Sequence, residues 1–538
     1  MTDVVDDRDR LVRSSAAVAT GTLLSRITGL LRVAVLAYAV GRASLADTYN
    51  IANSTPNIVY ELLLGGVLSA TLVPLFVEQL QSDDDRGTAA IFTVAMTVLT
   101  VLTAIAMLFA PLIARLYALD TSGTERVAQL HVMTILTLWF LPQMVFYGLT
   151  ALASAMLNAR RRFVAAAYAP VLNNVLVIGV LIAFARMTAG SRSQWIDVRK
   201  ISGDAGKLTL LGAGTTAGIV VMGLVLLPAL HHARTRLRAA FDWRHPAVRK
   251  MLRLSGWTIG YVITNQIALL YVLVLAKSGA TGNVSAYLYA YTFYQVPHGL
   301  LAVSIMTTMM PELSSSASRL DFPELARKFR LGLRYLLLLM LPASVLFVAL
   351  AQPMVGVLVR GGFHAHDAAV TADTLQAFSI GLVPFSVYLY ALRGFYALHD
   401  TRTPFVINAV ENALNIGLAV VLFPSLGVQG LALAWTGAYS VAAVLALVML
   451  HRRVPHPIDR DVRASAVRAV LAGAALAIVA SPLAAAIGRT SANRALFTTA
   501  AAGLAGGLAY VVVLFVLRTP ELRSLSSVLR RGATPLDV

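Results

Sequence analysis

The sequence predicts an all-α polytopic membrane protein with about fourteen transmembrane helices, built as two six-helix lobes in parallel repeat plus two extra C-terminal helices. Three observations predict this class. Hydrophobic residues fill 58% of the 538 positions and charged residues only 13%, about half the usual share of a soluble domain. Mean hydropathy is +0.73. Apolar segments long enough to cross a hydrocarbon core of about 30 Å recur along the whole chain.

Each predicted span is an apolar segment of about 20 residues or more. The first is too long for the apolar part of a signal peptide and has no convincing cleavage site, so we expect it to be retained. The predicted spans are 15–41, 52–80, 88–117, 126–154, 162–187, 206–233, 249–277, 283–311, 329–359, 368–398, 403–423, 428–451, 464–487 and 494–517.

The loops between these spans predict the orientation. If the N-terminus is cytoplasmic, the inside segments carry 29 Lys and Arg residues and the outside loops carry 12. Because cytoplasmic loops are enriched in these residues, both termini are predicted to be cytoplasmic. The net charge of +18 therefore reflects loop topology, and we expect no nucleic-acid partner.

An internal repeat predicts the lobes. With one inserted residue, Arg160, Phe163 and Asn173 align with Arg402, Phe405 and Asn415, six spans later. An offset of six spans preserves orientation, and parallel repeats of this kind are typical of transporters with a site between the halves. The predicted divisions are a cytoplasmic N-terminus 1–14, lobes 15–240 and 241–455, two additional helices 456–517, and a cytoplasmic tail 518–538.

The sequence lacks the usual marks of an enzyme. It has no cysteine, which excludes disulfides, thiolate metal ligands and a thiol nucleophile. It contains no HExxH, Walker A or GxSxG motif. We expect no catalytic residue, no metal site and no bound cofactor.

Two arginines inside the first span are the main functional signal. Arg26 and Arg32 lie in an apolar stretch, where a charge costs about 2.5–3.5 kcal/mol even on the most lenient insertion scale. They are therefore expected to face a water-filled cavity or a partner. Guanidinium groups bind phosphate oxygens in pairs and stay charged, which favours an anionic substrate. The alternatives are snorkelling to the interface or pairing with a carboxylate such as Asp47 or Glu61.

Glycine and proline predict flexible points in the first two spans. Gly29 lies one turn from Arg26 and permits close approach of a backbone or a substrate. Pro56 removes a helix hydrogen bond, and Gly65 and Gly66 loosen the same segment further on. We interpret these four positions as hinges, with an ordinary proline kink as the alternative.

Polar residues at helical spacing in the eleventh span are candidates for coupling to an ion. Asn408, Glu411, Asn412 and Asn415 present oxygen atoms that could hold a sodium ion, although hydrogen bonding between helices is the more common role. The loops are too short for an ATPase domain. We therefore expect a sodium ion, a proton or the membrane potential to drive transport.

Residues 25–32 read Ser-Arg-Ile-Thr-Gly-Leu-Leu-Arg. This segment resembles the first span of the MurJ (MviN) lipid II flippase family, in the multidrug/oligosaccharidyl-lipid/polysaccharide exporter superfamily. The resemblance covers nearly the whole chain and is most specific in the first eighty residues. It continues through residues 46–47, 56–57, 66–70, 73–74 and 289–311.

The resemblance implies a function and a set of partners. Two six-helix lobes would enclose a cationic cavity, and the last two helices would form a groove for a polyprenyl tail. By alternating access, the protein would move lipid II, the lipid-linked peptidoglycan precursor, from the cytoplasmic to the outer leaflet of the bacterial plasma membrane. The implied partners are lipid II or a similar polyprenyl-diphosphate lipid, the phospholipid bilayer, and cell-wall synthesis or division proteins.

The resemblance also implies site residues. Arg26 and Arg32 match arginines that meet the substrate's diphosphate in the family. Tyr60 and Thr292 stand where members often carry arginine, which predicts a less cationic cavity. The predicted substrate-binding residues are Arg26, Arg32, Ser25, Asp47, Asn57, Tyr60, Glu61, Ser285 and Thr292. A cytoplasmic regulatory domain found in some relatives is expected to be absent here.

Three alternatives remain open. The chain could flip another polyprenyl-diphosphate-linked glycan. A cation-coupled drug exporter of the same fold should keep more carboxylates than cations in its cavity. A membrane-embedded glycosyl- or phosphotransferase would need acidic residues clustered at one membrane face, and the sequence has no convincing cluster.

Overall fold

The computed structural model consists of helices joined by turns and short loops, with no strand among the residues it describes. Those residues are 2–61, 72, 75–80, 82, 84–117, 123–160, 162–188, 198–233, 240–254, 256–488 and 491–522. The hinge residues Gly65 and Gly66 lie outside these ranges. The chain divides into two compact units, Met1–Ser285 and Ala286–Val538. The lobe boundary at residues 240 and 241 stays a prediction.

Unit 1 contains the first twelve helices. Their bounds are α1 Thr2–Val40, α2 Ser44–Tyr60, α3 Asp85–Leu108, α4 Ala110–Tyr117, α5 Gly123–Phe140, α6 Gln143–Ala159, α7 Val164–Met187, α8 Val198–Ile201, α9 Ala205–Leu224, α10 Leu226–His232, α11 Pro246–Leu254 and α12 Gly256–Ser278. Helix α7 packs between α1 and α9, and α2 packs against α5 and α6.

The next helix, α13, spans Asn283–Pro297 and crosses the boundary into unit 2. A π-helical turn, His298–Ala302, joins it to α14. The remaining bounds are α14 Val303–Ser318, α15 Phe322–Gly356, α16 Ala365–Ile380, α17 Leu382–Ala397, α18 Arg402–His451, α19 Arg460–Ile487 and α20 Ala492–Val516. Helices α19 and α20 pack against each other and against α15, so the two additional helices belong to unit 2.

Ten described helical segments are long and apolar enough to cross a membrane, or eleven if the bent pair α16 and α17 forms one span. The fold class is therefore confirmed, but the exact count of fourteen is not. One reason for the lower number is the 50-residue helix α18, which is counted as one membrane-crossing segment but covers two of the predicted spans. A straight helix of that length would extend about 75 Å. Gly427, with φ +55°, breaks it into two segments.

The two halves of the predicted repeat share a buried detail. Asn173 lies in α7 and its partner in the repeat, Asn415, lies in α18. Both side chains are buried, and the Oδ1 atom of each has no hydrogen-bond partner among the described residues. Buried amide oxygens usually have a partner, so these two positions are unusual in the same way.

Candidate functional site

The face of α1 next to the arginines is held against α7. Asn174 of α7 donates from Nδ2 to Thr28 Oγ1 at 3.0 Å and to the backbone carbonyl of Ser25 at 3.2 Å. Gly29 lies at the same contact, where an added Cβ would meet Asn174 Nδ2 at 3.7 Å. Gly29 lies within a continuous helix, and a Cβ at this position would make an ordinary van der Waals contact with α7.

Arg26 and Arg32 lie in different surroundings on α1. Arg26 is exposed and Arg32 is half-buried. Among the described residues, neither guanidinium has a carboxylate oxygen within 4.0 Å. Arg32 interacts electrostatically with the hydroxyl groups of Tyr49 on α2 and Tyr147 on α6. No acidic side chain in the described chain therefore neutralises the two charges.

Tyr49 and Tyr147 belong to a buried polar network in unit 1, here called the tyrosine–glutamine cluster. Its members are Tyr49, Gln143, Tyr147, Thr215 and Thr216. Tyr49 Oη and Thr215 Oγ1 share a hydrogen bond of 2.9 Å. Gln143 donates to Thr216 Oγ1 at 3.0 Å and accepts from Tyr147 Oη at 3.4 Å. Tyr49 and Tyr147 are the members of this cluster that interact electrostatically with Arg32.

Asp47 is engaged elsewhere, although the sequence offered it as a partner for arginine. Its side chain is 1% exposed and accepts hydrogen bonds from the Gly282 amide at 2.7 Å, the Ser285 amide at 2.9 Å and the Ser285 hydroxyl at 2.7 Å. Asn50 donates to the same hydroxyl at 3.0 Å. Asp47 thus caps the first turn of α13, where backbone amides lack helical acceptors.

The second predicted span begins as helix α2. Pro56 lies inside this helix and is buried, whereas Asn57 is exposed. Tyr60 is buried, and its ring lies 5.9 Å from that of Tyr147. Glu61 follows as a half-buried residue at the end of α2. The structure therefore brings Tyr60 towards the tyrosine–glutamine cluster.

Unit 2 contains a separate group of polar residues inside its helices. Thr292 on α13 is half-buried, and its hydroxyl donates to the Leu288 carbonyl at 2.8 Å. Glu411 on α18 is 1% exposed, and neither carboxylate oxygen has a hydrogen-bond partner among the described residues. It interacts electrostatically with Tyr287 and Tyr291 of α13. A carboxylate buried in this way requires a proton or a cation.

Arg393 is the third arginine that the sequence places inside a span. It lies on α17, is half-buried, and its Nε atom has no hydrogen-bond partner among the described residues. Its described electrostatic neighbour is Tyr396, one turn further along the helix. In the described part of the chain, no group of three or more His, Asp or Glu side chains is arranged to hold a metal ion.

Comparisons with known proteins agree with this architecture. Residues 36–517 match the model of the family described as lipid II flippase MurJ. A protein of Rhizobium meliloti (strain 1021) named probable lipid II flippase MurJ is 29% identical over 98% of both chains. One of the same name from Bdellovibrio bacteriovorus is 30% identical over 94% of this chain and 96% of its own.

Solved structures show the same fold at low sequence identity. The lipid II flippase MurJ in an inward closed conformation is similar with a TM-score of 0.72 and 21% identity, over 93% of this chain and 98% of that one. An inward-facing multidrug resistance transporter of the MATE family is similar with a TM-score of 0.64 and 13% identity, over 82% and 98%. Because the family model covers most of the sequence, this chain belongs to the lipid II flippase MurJ family.

Proposed function

We propose that this protein is a flippase that moves lipid II from the cytoplasmic to the outer leaflet of the bacterial inner membrane by alternating access. One observation carries the proposal most directly. Arg26 and Arg32 lie on an apolar helix, and neither has a described carboxylate within 4.0 Å. An uncompensated charge in that position is costly, and an anionic substrate offsets the cost.

The geometry around Arg32 suits a diphosphate. A guanidinium group keeps its charge when water is removed and donates two parallel hydrogen bonds to phosphate oxygens. The hydroxyl groups of Tyr49 and Tyr147 interact electrostatically with Arg32 and make its surroundings polar. The diphosphate would thus meet fixed donors while the polyprenyl tail stays in the lipid.

The membrane potential can drive the outward step. Moving one elementary charge across a potential of 100 mV is worth about 2.3 kcal/mol. For a diphosphate with two negative charges, an inside-negative potential contributes roughly 4–5 kcal/mol per 100 mV towards the outer leaflet. An inside-negative potential therefore favours export of the anionic lipid.

Glu411 is the residue at which a coupling cation would bind. The Glu411 carboxylate and the Asn415 amide oxygen lie one helical turn apart, are buried, and have no described hydrogen-bond partner. Oxygen ligands of this kind suit a sodium ion, and the carboxylate alone would hold a proton. A sodium or pH gradient would then act together with the membrane potential.

The proposal includes the topology and the partners of the protein in the cell. Both termini would lie in the cytoplasm, because the predicted inside segments hold 29 of the Lys and Arg residues and the outside loops 12. Cell-wall synthesis or division proteins would receive the flipped substrate on the outer side.

A depletion experiment tests the function. In bacteria depleted of their own lipid II flippase, this chain should restore growth and the outward movement of lipid II. The variant Arg26→Ala/Arg32→Ala should not, and lipid II should accumulate on the cytoplasmic side. Arg86→Ala is the matched control, because that side chain is 77% exposed at the start of α3.

The alternatives make different predictions in the same cells and in vesicles. A flippase for another polyprenyl-diphosphate-linked glycan would fail to restore lipid II movement but would flip that glycan lipid in proteoliposomes. A drug exporter would restore neither growth nor lipid II movement in the depleted cells, and it would confer resistance to a cationic compound. Either result would overturn the lipid II assignment.

A further inference from the structure

A polar pocket lies at one end of unit 2, where α17 meets the two ends of α18. Its volume is about 490 Å³. The loop 398–403 and the last turn of α18 with the residues just after it supply its walls. This end of the unit is the one that the distribution of Lys and Arg assigns to the cytoplasm. The pocket therefore lies at the predicted height of the phospholipid headgroups.

The charge of the pocket is positive. Arg402 and Arg453 line it from opposite ends of α18, and both side chains are exposed. Asp400 is the one acidic lining residue, and it accepts hydrogen bonds from the Thr403 amide at 3.0 Å and the Thr403 hydroxyl at 2.7 Å. Two guanidinium groups and one carboxylate line the pocket, and the excess positive charge favours an anion.

An apolar surface continues from the pocket along both segments of α18. Val406 lines the pocket and is 43% exposed, and Val410, one turn further, is 41% exposed. On the other segment, Val448 and Val444 are 52% and 63% exposed. Residues spaced by four lie on one face of a helix. The strip formed by Val406 and Val410 therefore runs from the pocket towards the middle of the membrane, while Val444 and Val448 lie on a face of the second segment next to that of the lining residue Met449.

We propose that this pocket binds the phosphate headgroup of an anionic phospholipid, with Arg402 and Arg453 on the phosphate and the acyl chains along the exposed valines of α18. The valines favour a lipid over free phosphate, because a soluble anion would gain nothing from an apolar surface below it. The inference does not rest on the proposed function.

Binding to the purified full chain tests the site. In detergent, short-chain phosphatidylglycerol should raise the melting temperature more than phosphatidylcholine does, and native mass spectrometry should show it retained. Removing both charges in Arg402→Gln/Arg453→Gln should weaken phosphatidylglycerol binding by about thirtyfold, since each arginine near an anionic lipid contributes about a factor of five.

Matched controls separate the site from general surface charge. Arg460→Gln/Arg463→Gln removes two exposed charges near the same end of the unit but outside the pocket, and should bind phosphatidylglycerol as the wild type does. If Arg402→Gln/Arg453→Gln is less stable than the wild type in the absence of lipid, Arg402→Lys/Arg453→Lys is measured instead. Its affinity for phosphatidylglycerol should lie between those of the wild type and the Gln variant. Equal binding by pocket and control variants would overturn the proposal. An equal effect of inorganic phosphate on the wild type would overturn the assignment to a lipid.

Discussion

The Asp47 carboxylate and Ser285 are joined by two hydrogen bonds, one from the Ser285 amide at 2.9 Å and one from its hydroxyl at 2.7 Å. The two residues are separated by 238 positions in the sequence. A buried carboxylate with three donors is stable because each donor offsets part of the cost of removing its charge from water. The same carboxylate holds the first turn of α13 in place.

Replacing Asp47 tests this cap. Asp47→Ala leaves the Gly282 amide and both Ser285 donors without their acceptor, so we expect the free energy of unfolding to fall by about 1–3 kcal/mol. Thermal unfolding in detergent measures the loss. Asn53→Ala, on the same helix, is the matched control and should unfold close to the wild type. An Asp47→Ala protein as stable as this control would contradict a structural role for the cap.

The electrostatic interaction of Arg32 with Tyr147 is testable by a double-mutant cycle on flipping rates. Tyr147→Phe removes a hydroxyl that interacts with Arg32, and no such interaction with Arg26 is described. We expect the effects of Tyr147→Phe and Arg32→Gln to be non-additive by severalfold, whereas those of Tyr147→Phe and Arg26→Gln should add. Additive effects in both cycles would show that Tyr147 acts independently of Arg32.

Glu411 should be required for coupling and dispensable for folding. Glu411→Gln removes an ionisable group whose two oxygens have no described partner, so the variant should be at least as stable as the wild type. Flipping in proteoliposomes should lose its response to a sodium or pH gradient while keeping its response to the membrane potential. A variant that still responds to both ion gradients would rule out Glu411 as the coupling residue.

Glu521 should make stability depend on pH. Burial opposes its ionisation, but hydrogen bonds from Ser465 and Arg334 and the charge of Arg334 hold its pKa below the ordinary value of 4.5. A depressed pKa in the folded state adds stability above the unfolded pKa, and that stability is lost as the pH falls through the folded pKa. Glu521→Gln should therefore unfold at a lower temperature than the wild type at pH 7.

The pH series provides the control for Glu521. The difference in melting temperature between Glu521→Gln and the wild type should narrow once the pH falls below about 4.5, where the unfolded glutamate takes up a proton before the folded one does. Thermal unfolding followed by circular dichroism in detergent, from pH 7 down to the lowest pH at which the protein stays folded, would measure this difference. A difference in melting temperature that stays constant across this pH range would mean that the charge of Glu521 does not contribute to stability.

Hydropathy predicted much of the fold because membrane helices are long and apolar. The last two predicted spans, 464–487 and 494–517, lie close to α19 and α20. The predicted span 283–311 covers α13, the π-helical turn and part of α14, and the turn divides this segment into two helices that are each too short to count as a span. The predicted break between spans 403–423 and 428–451 coincides with Gly427, whose non-helical backbone divides α18, but hydropathy could not show that the helix resumes directly after it.

The candidate site was only partly predictable. A charge in an apolar stretch is visible in the sequence, so Arg26 and Arg32 were found. The surroundings of Arg32 were missed, because Tyr49 and Tyr147 are common residues in membrane helices and meet only after folding. The partner of Asp47 was missed for the same reason: no local pattern connects it to Ser285.

Flipping of fluorescent lipid II in proteoliposomes, with and without an imposed potential, tests the central claim most directly. We expect the wild type to flip lipid II faster under a potential favouring anion exit. We expect Arg26→Gln/Arg32→Gln to flip at the rate of empty vesicles while Arg86→Gln flips normally. Wild-type rates in the double arginine variant would contradict a role of the two arginines in transport.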